Sequence, residues 1–312
     1  MYVCTILYER RYIFMKNRKV MRSKEQEEAH ERWSYDRWMP CLIPSICFYY
    51  MTRHQEDGVA SIIKNTTVTY AIVYQLLRWT GWFQPTTRGR GKNESSRNPP
   101  LKYSDAAEWR SRVIGTMNAV ILIVGSVLCF LEWPSISRGE GFIQTVKVWR
   151  YPVTFASLFV GYLQWDFCWL IYHYKENKDV SSLLHHTLFI LITHYVLSGT
   201  TMTRPFAWLS LTELSTPFLH VRWFFAVSGK KTSIWYTRSS ILFAFTFLLT
   251  RVFGYTLGLL DLWCHSDIWL SNGPWGLHIV VLGLHAGWIL NLFWGIKVIS
   301  AMTRMIRLKT TL

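Results

Sequence analysis

Asp166, with Tyr162 four residues before it and His173 seven after, stands in an otherwise apolar run, and this spacing places all three on one helical face. A histidine doublet follows, His185-His186, with His194 eight residues beyond His186 on roughly the same face. Ser210, Glu213, Thr216 and His220 then recur every three or four residues, beside Pro217, as a polar stripe along an apolar helix. Arg251 stands in a further apolar run, and His278, His285 and Asn291 in the last. Two adjacent histidines near a carboxylate can serve as general base, nucleophile or lipid-headgroup donor. The structural alternative is mutual pairing, with Asp166 or Glu213 against Arg251, because an unpaired buried charge is worse than a paired one. His194, His220, His278 and His285 read as hydrogen-bonded helix contacts.

Other chemistries lack their residues. Membrane di-iron enzymes need about eight histidines in closely spaced boxes, whereas this chain has ten in all and one adjacent pair. There is no G-x-S-x-G elbow, Walker loop or H-E-x-x-H. The six cysteines are scattered without a C-x-x-C, so no zinc ribbon or disulfide framework is indicated. No metal and no cofactor is expected. The ends of spans three and seven lack receptor-type D-R-Y and N-P-x-x-Y signatures, and no internal repeat points to a transporter.

The elements that must position these groups are membrane spans. Half of the residues are apolar and only 17% are charged, well below the share in soluble domains. Seven stretches are long and apolar enough to cross the bilayer: 59–83, 113–131, 151–172, 186–197 (short unless 181–184 extend it), 205–227, 240–262 and 276–299. Their loops test the count. One set carries seventeen Lys and Arg, among them Arg88, Arg110, Arg112, Lys175, Lys178, Arg222, Lys230, Lys231, Arg238 and Arg304, against three or four in the other set (Arg138, Lys147, Arg150, Arg204). The richer side is therefore cytoplasmic, the formal charge of +15 is largely topology, and no nucleic-acid partner is expected. Trp79, Trp82, Trp149, Trp208, Trp223, Trp263 and Trp275 fall near span ends, where interfacial anchors belong. Gly254 and Gly258, then Gly283 and Gly287, form G-x-x-x-G pairs that permit close helix approach, within the chain or in a homodimer.

Residues 1–57 fit less well, with ten Lys and Arg, eight Asp and Glu, and an apolar piece at 39–51 too short to span. They are read as a disordered or interfacial appendage. The first span and a basic cytosolic loop follow at 58–104, the main domain at 105–302 and a basic tail at 303–312. The sequons at Asn65 and Asn93 abut a span and lie in a cytoplasmic loop, so neither is expected to be used.

From Glu108-Trp109-Arg110-Ser111-Arg112-Val113 to Asn291-Leu292-Phe293-Trp294 the chain resembles the TLC domain family, which includes ceramide synthases and smaller lipid-associated membrane proteins. The specific pieces are the run from Gly161-Tyr162 to Asp166, Leu184-His185-His186, and Thr212-Glu213-Leu214-Ser215-Thr216-Pro217-Phe218-Leu219-His220-Val221-Arg222-Trp223. The last string is similar to the branch that is not ceramide synthase. The resemblance implies an all-α membrane protein of about seven transmembrane helices, six forming a barrel around a lipid-accessible central cavity with the first span outside, in the endoplasmic reticulum or a related membrane. Two departures stand out: one acid, Glu213, replaces the H-D-x-x-D cluster of the synthases, and Asn118 stands near a position where histidine is common.

The resulting expectation is a multi-pass protein that binds membrane lipid or an acyl chain and contributes to lipid homeostasis, with Asp166, His185, His186, Glu213 and Arg251 lining the site. The alternative is an acyltransferase of ceramide-synthase type working on acyl-CoA and a sphingoid amine. There His185 or His186 is the base or acyl carrier, and Asp166 or Glu213 orients the imidazole.

Overall fold

In the computed structural model the described residues are 35–80, 103–132, 150–198, 203–272 and 275–310, and among them there is no strand. The helices are α1 (Tyr35–Arg53), α2 (Asp57–Thr80), α3 (Tyr103–Glu132), α4 (Arg150–Tyr172), α5 (Tyr174–Asn177), α6 (Val180–Leu197), α7 (Thr203–Leu211), α8 (Thr216–Val227), α9 (Ile234–Phe247), α10 (Tyr255–Cys264), α11 (Ser266–Asn272) and α12 (Trp275–Thr310). A tight 3-10 turn, Thr212–Ser215, joins α7 to α8, and a widened π-helical segment, Leu248–Gly254, joins α9 to α10.

Each helix divides by side-chain type. On α3, Ala107, Ile114, Asn118, Leu122, Ser126 and Cys129 face inward at three-to-four-residue spacing, while Val120, Val124, Val127 and Leu131 face outward. An apolar outer face of this kind suits hydrocarbon rather than water. Four stretches, Asp105–Leu131, Val180–Leu197, Ile234–Cys264 and Trp275–Arg304, are each long and apolar enough to cross a bilayer. The protein is thus an all-α membrane protein. The three other expected spans coincide with helical segments, α2, α4 and the α7–α8 rod, that carry more polar residues.

The fourth span is the longer of its two expected versions. Asp179 accepts from the Ser182 N–H and starts α6 at Val180. Just before it, Lys178 takes a left-handed φ of 48° and closes the reversal from α4.

Helix neighbours follow a definite order: α3 packs on α4, α4 on α6, α6 on α12, α12 on the α9–α10 rod, that rod on the α7–α8 rod, and the latter on α3. Outside this series α2 lies on α4 and α3, and α1 on α4 and α2. Gly161 is what lets α2 come so close, since a Cβ there would stand 2.6 Å from Thr66 Cβ and 2.8 Å from the Ile63 carbonyl oxygen. From the amino-terminal segment, α1 turns Phe48 onto Phe167, ring centroids 5.5 Å apart, and exposes Leu42, Ile43, Ile46, Tyr49 and Tyr50; residues 1–34 lie outside the described residues.

The close approach permitted by the G-x-x-x-G glycines is made within the chain. Gly258 faces Trp208, Gly283 faces Ile192, Gly287 faces Tyr255 and Phe189, and Gly254 is buried. Two of the tryptophans expected as anchors are instead packing groups: Trp208 lies on Gly258 and Phe130, and Trp223 is buried under Arg112. Trp79 and Trp275 are largely exposed, whereas Trp82 and Trp149 lie outside the described residues. Asn65 is mid-helix, bonded to Ser61, and Asn93 lies outside the described residues.

Candidate functional site

Asp166 and His186 meet across the α4–α6 interface, both buried, with His186 Nε2 2.9 Å from Asp166 Oδ2. His186 Nδ1 lies 2.7 Å from the Ser182 carbonyl oxygen, and the Ser111 hydroxyl of α3 donates to Asp166 Oδ1 at 3.2 Å. Both imidazole nitrogens therefore face oxygen acceptors. The pair must hold one shared proton beyond that on Nδ1, either as imidazolium with carboxylate or as imidazole with carboxylic acid. Neither form leaves a nitrogen lone pair free. His185, its chain neighbour, is rotated by one helical step: its ring packs on Phe189 at 4.6 Å and makes no hydrogen bond among the described residues. The two rings of the doublet meet edge-on, centroids 5.8 Å apart, yet have different further partners.

The second pair is Glu213 with Arg251. Pro217 has no N–H to give the Glu213 carbonyl, so the Thr216 N–H turns to that oxygen and tightens the chain into the 3-10 turn. The Thr212 carbonyl oxygen, left without its ordinary helical partner, accepts Arg251 Nε at 3.1 Å. The same Nε reaches Ser215 Oγ at 3.0 Å, and Nη2 reaches Glu213 Oε1 at 3.3 Å and Thr216 Oγ1 at 3.2 Å. Thr216 in turn donates to Glu213 Oε2 at 2.7 Å, and Phe247 lies under the guanidinium. Of the two acids that could have taken Arg251, the structure pairs it with Glu213.

These pairs share one interior. Tyr162 lies within electrostatic reach of both Asp166 and Glu213, and Arg251 within reach of His185 and His220. Tyr162 and Asp166 share a face as the spacing predicts, whereas His173 lies beyond the end of α4, packed on Trp169. His220 Nδ1 bonds Thr116 at 2.8 Å; because Thr116 donates to the Arg112 carbonyl, His220 is the donor. Among the described residues the Tyr162 hydroxyl makes no hydrogen bond, and buried Ser210 Oγ and Asn291 Oδ1 have no partner. Buried polar atoms are seldom left this way, so Ser210 Oγ and Asn291 Oδ1 each mark a place for a further hydrogen-bonding group.

Toward the other membrane face the lining changes character. A narrow apolar cavity of about 40 Å³ is bounded by Val153 and Ala156 of α4, Ile192 and Val196 of α6, Phe206 of α7 and Leu284 of α12. Ala156 lies ten residues from Asp166, and Val196 ten from His186. At the helical rise that is about 15 Å along each helix.

Some contacts were missed by motif reading. His194 is held by Gln164 at 2.9 Å and by Gln55 at 3.4 Å, a network that ties the α1–α2 junction to α4 and α6. Asn118, which stands near a position where the family often has histidine, accepts from the Tyr70 hydroxyl at 3.2 Å and joins α3 to α2. His285 accepts from Trp263 at 3.0 Å, and His278 packs on Trp269. The available signal was the inward register Ser111, Gly115, Asn118 on an otherwise apolar helix. Among the described residues no group of three or more histidine, cysteine or acidic side chains could hold a metal.

The TLC domain pattern matches residues 108–300, a stretch that begins on α3, ends on α12 and holds every residue of both pairs. TLC domain-containing protein 4-A of Xenopus laevis is 26% identical over 227 residues, which are 69% of this chain and 83% of that protein. TLC domain-containing protein 4-B of Danio rerio is 30% identical over 170 residues, 53% of this chain and 59% of that one. The human TLC domain-containing protein 4 is 24% identical over 215 residues, 66% and 78% respectively. No solved structure matches. With the matched stretch spanning well over half of the chain, and its relatives named for TLC proteins rather than ceramide synthases, this protein belongs to the TLC domain family, in a branch distinct from the synthases.

Proposed function

We propose that the protein binds a membrane lipid inside the helix bundle and contributes to lipid homeostasis, in the endoplasmic reticulum. The observation that carries this reading is the axial division of the interior: polar groups at Asp166, His185, His186, Glu213 and Arg251, and an apolar cavity that begins about 6 Å along α7 at Leu209, about 9 Å along α6 at Ile192 and about 15 Å along α4 at Ala156. The first level offers hydrogen-bonding groups to a headgroup, and the cavity of about 40 Å³ an apolar wall along which a chain could open the space it needs. The order of helix neighbours supports a barrel of six rods around that interior, with α2 outside it.

Acyl transfer is the second reading, favoured by the 2.9 Å contact of His186 with Asp166. Its weakness is that His186 has both nitrogens committed, while His185 has no carboxylate on its ring to orient it. One experiment separates the two. Purified full-length protein is incubated with acyl-CoA beside the His185→Ala and His186→Ala variants, and released CoA and intact mass are followed together. Retained lipid without CoA release or adduct is expected. An adduct or CoA release lost in either variant would replace lipid binding with transfer.

A further inference from the structure

The charges around the interior cancel in pairs. Asp166 faces His186, and the pair is neutral as a whole in either of its one-proton forms. Glu213 faces Arg251. Arg112, at the cytoplasmic end of the interior, is bound by Glu108 at 2.6 Å and covers Trp223. Among the described residues, the one charged group here with an unpartnered nitrogen is Arg110, whose guanidinium lies over the Tyr74 ring of α2, outside the series of rods. The unengaged groups of α4, α6, α7 and α12, among them the Tyr162 hydroxyl, the His185 ring, Ser210 Oγ and Asn291 Oδ1, are uncharged. Asn291 stands one turn beyond Gly287 on α12, where Gly287 packs on Tyr255 and Phe189, and Phe189 carries the His185 ring.

We infer that the lipid held here has an uncharged, hydrogen-bonding headgroup, with hydroxyl, ester or amide functions, and is not a phosphate-bearing lipid. The inference rests on the lipid-binding reading above. A phosphate brought to this depth needs a cation to offset its desolvation, and the guanidinium nearest to it is already held by Glu213, two hydroxyls and a carbonyl. A hydroxyl or carbonyl needs only the neutral donors and acceptors that stand unused.

The test uses full-length protein in nanodiscs and two photocrosslinking probes with identical chains, a diacylglycerol and a phosphatidic acid, which differ only in the phosphate. Diacylglycerol is expected to label peptides of α4, α6 or α12, with competition by unlabelled diacylglycerol and not by phosphatidic acid. Preferential labelling by phosphatidic acid overturns the inference and leaves lipid binding standing. Labelling by neither probe overturns both. Glu213→Gln adds a readout that a purely structural pair would not move. It frees the Arg251 guanidinium, and the preference should swing toward phosphatidic acid by about tenfold. An unchanged preference in a variant that still labels would also overturn the inference.

Discussion

Pro217 and Arg251 are linked through one carbonyl oxygen. The proline withholds an N–H, Thr216 shifts its own N–H to Glu213, and the Thr212 oxygen becomes the acceptor for Arg251 Nε at 3.1 Å. A local sequence choice in one rod thus builds half of a binding cradle for a side chain on another. Arg251 itself sits in the π-helical segment, an irregularity that often accompanies a functional side chain. Pro217→Ala restores the missing donor and weakens that acceptor. Combined with Arg251→Lys, it should depart from additivity by about 0.5–3 kcal/mol, measured as a double-mutant cycle on thermal unfolding in detergent.

Arg251→Lys is itself not conservative. A lysine cannot reach four acceptors in one planar fork, so Glu213, Thr212 O, Ser215 and Thr216 lose shared satisfaction. A loss of about 1–3 kcal/mol is expected. Equal midpoints for the wild type and this variant would contradict the geometry.

Among the described residues, His186→Ala leaves the buried Asp166 carboxylate with the Ser111 hydroxyl as its one hydrogen-bond donor. The expected cost is about 3–5 kcal/mol. Adding Asp166→Ala should return part of it, because the orphaned acid goes too. A double variant less stable than the sum of the singles would show that the two residues do not act as a pair.

Gly161→Val should pry α2 from α4, since even the first carbon collides with Thr66 and with backbone at Ile63. Overpacking of this kind costs about 1–3 kcal/mol. Limited proteolysis of the α1–α2 region reports it directly. Gly58→Val, where nothing lies within 4 Å, is the matched control and should change little.

The charge asymmetry of the loops makes a topological prediction. With the native cysteines replaced by serine, Lys230→Cys, in the turn between α8 and α9, should react with a membrane-impermeant maleimide from the cytosolic side of intact microsomes. Ser266→Cys, at the start of α11, should react only after the membrane is opened. The reverse pattern would invert the orientation.

Fold class was legible before any coordinates, because hydrocarbon requires every backbone polar group to be satisfied within its own helix, and that forces long apolar runs into the sequence. Periodicity likewise put Tyr162 with Asp166, and Glu213 with Thr216, on common faces, since those are properties of one helix at a time. Partner choice was not legible. Asp166 and Glu213 were equal candidates for Arg251, and only the packing of the α7–α8 rod against the α9–α10 rod, with the 3-10 turn facing the π segment, decided for Glu213. The histidine doublet shows the same limit. Adjacent letters suggest a joint base, yet one residue's step around α6 sends His186 to Asp166 and His185 to Phe189. The glycine pairs announced close approach without naming what approaches, and the structure fills each with a side chain of this chain. Sequence determined which groups stand on which face, because that follows from 3.6 residues per turn. Which face meets which is a matter of how whole helices pack, and that was decided only in three dimensions.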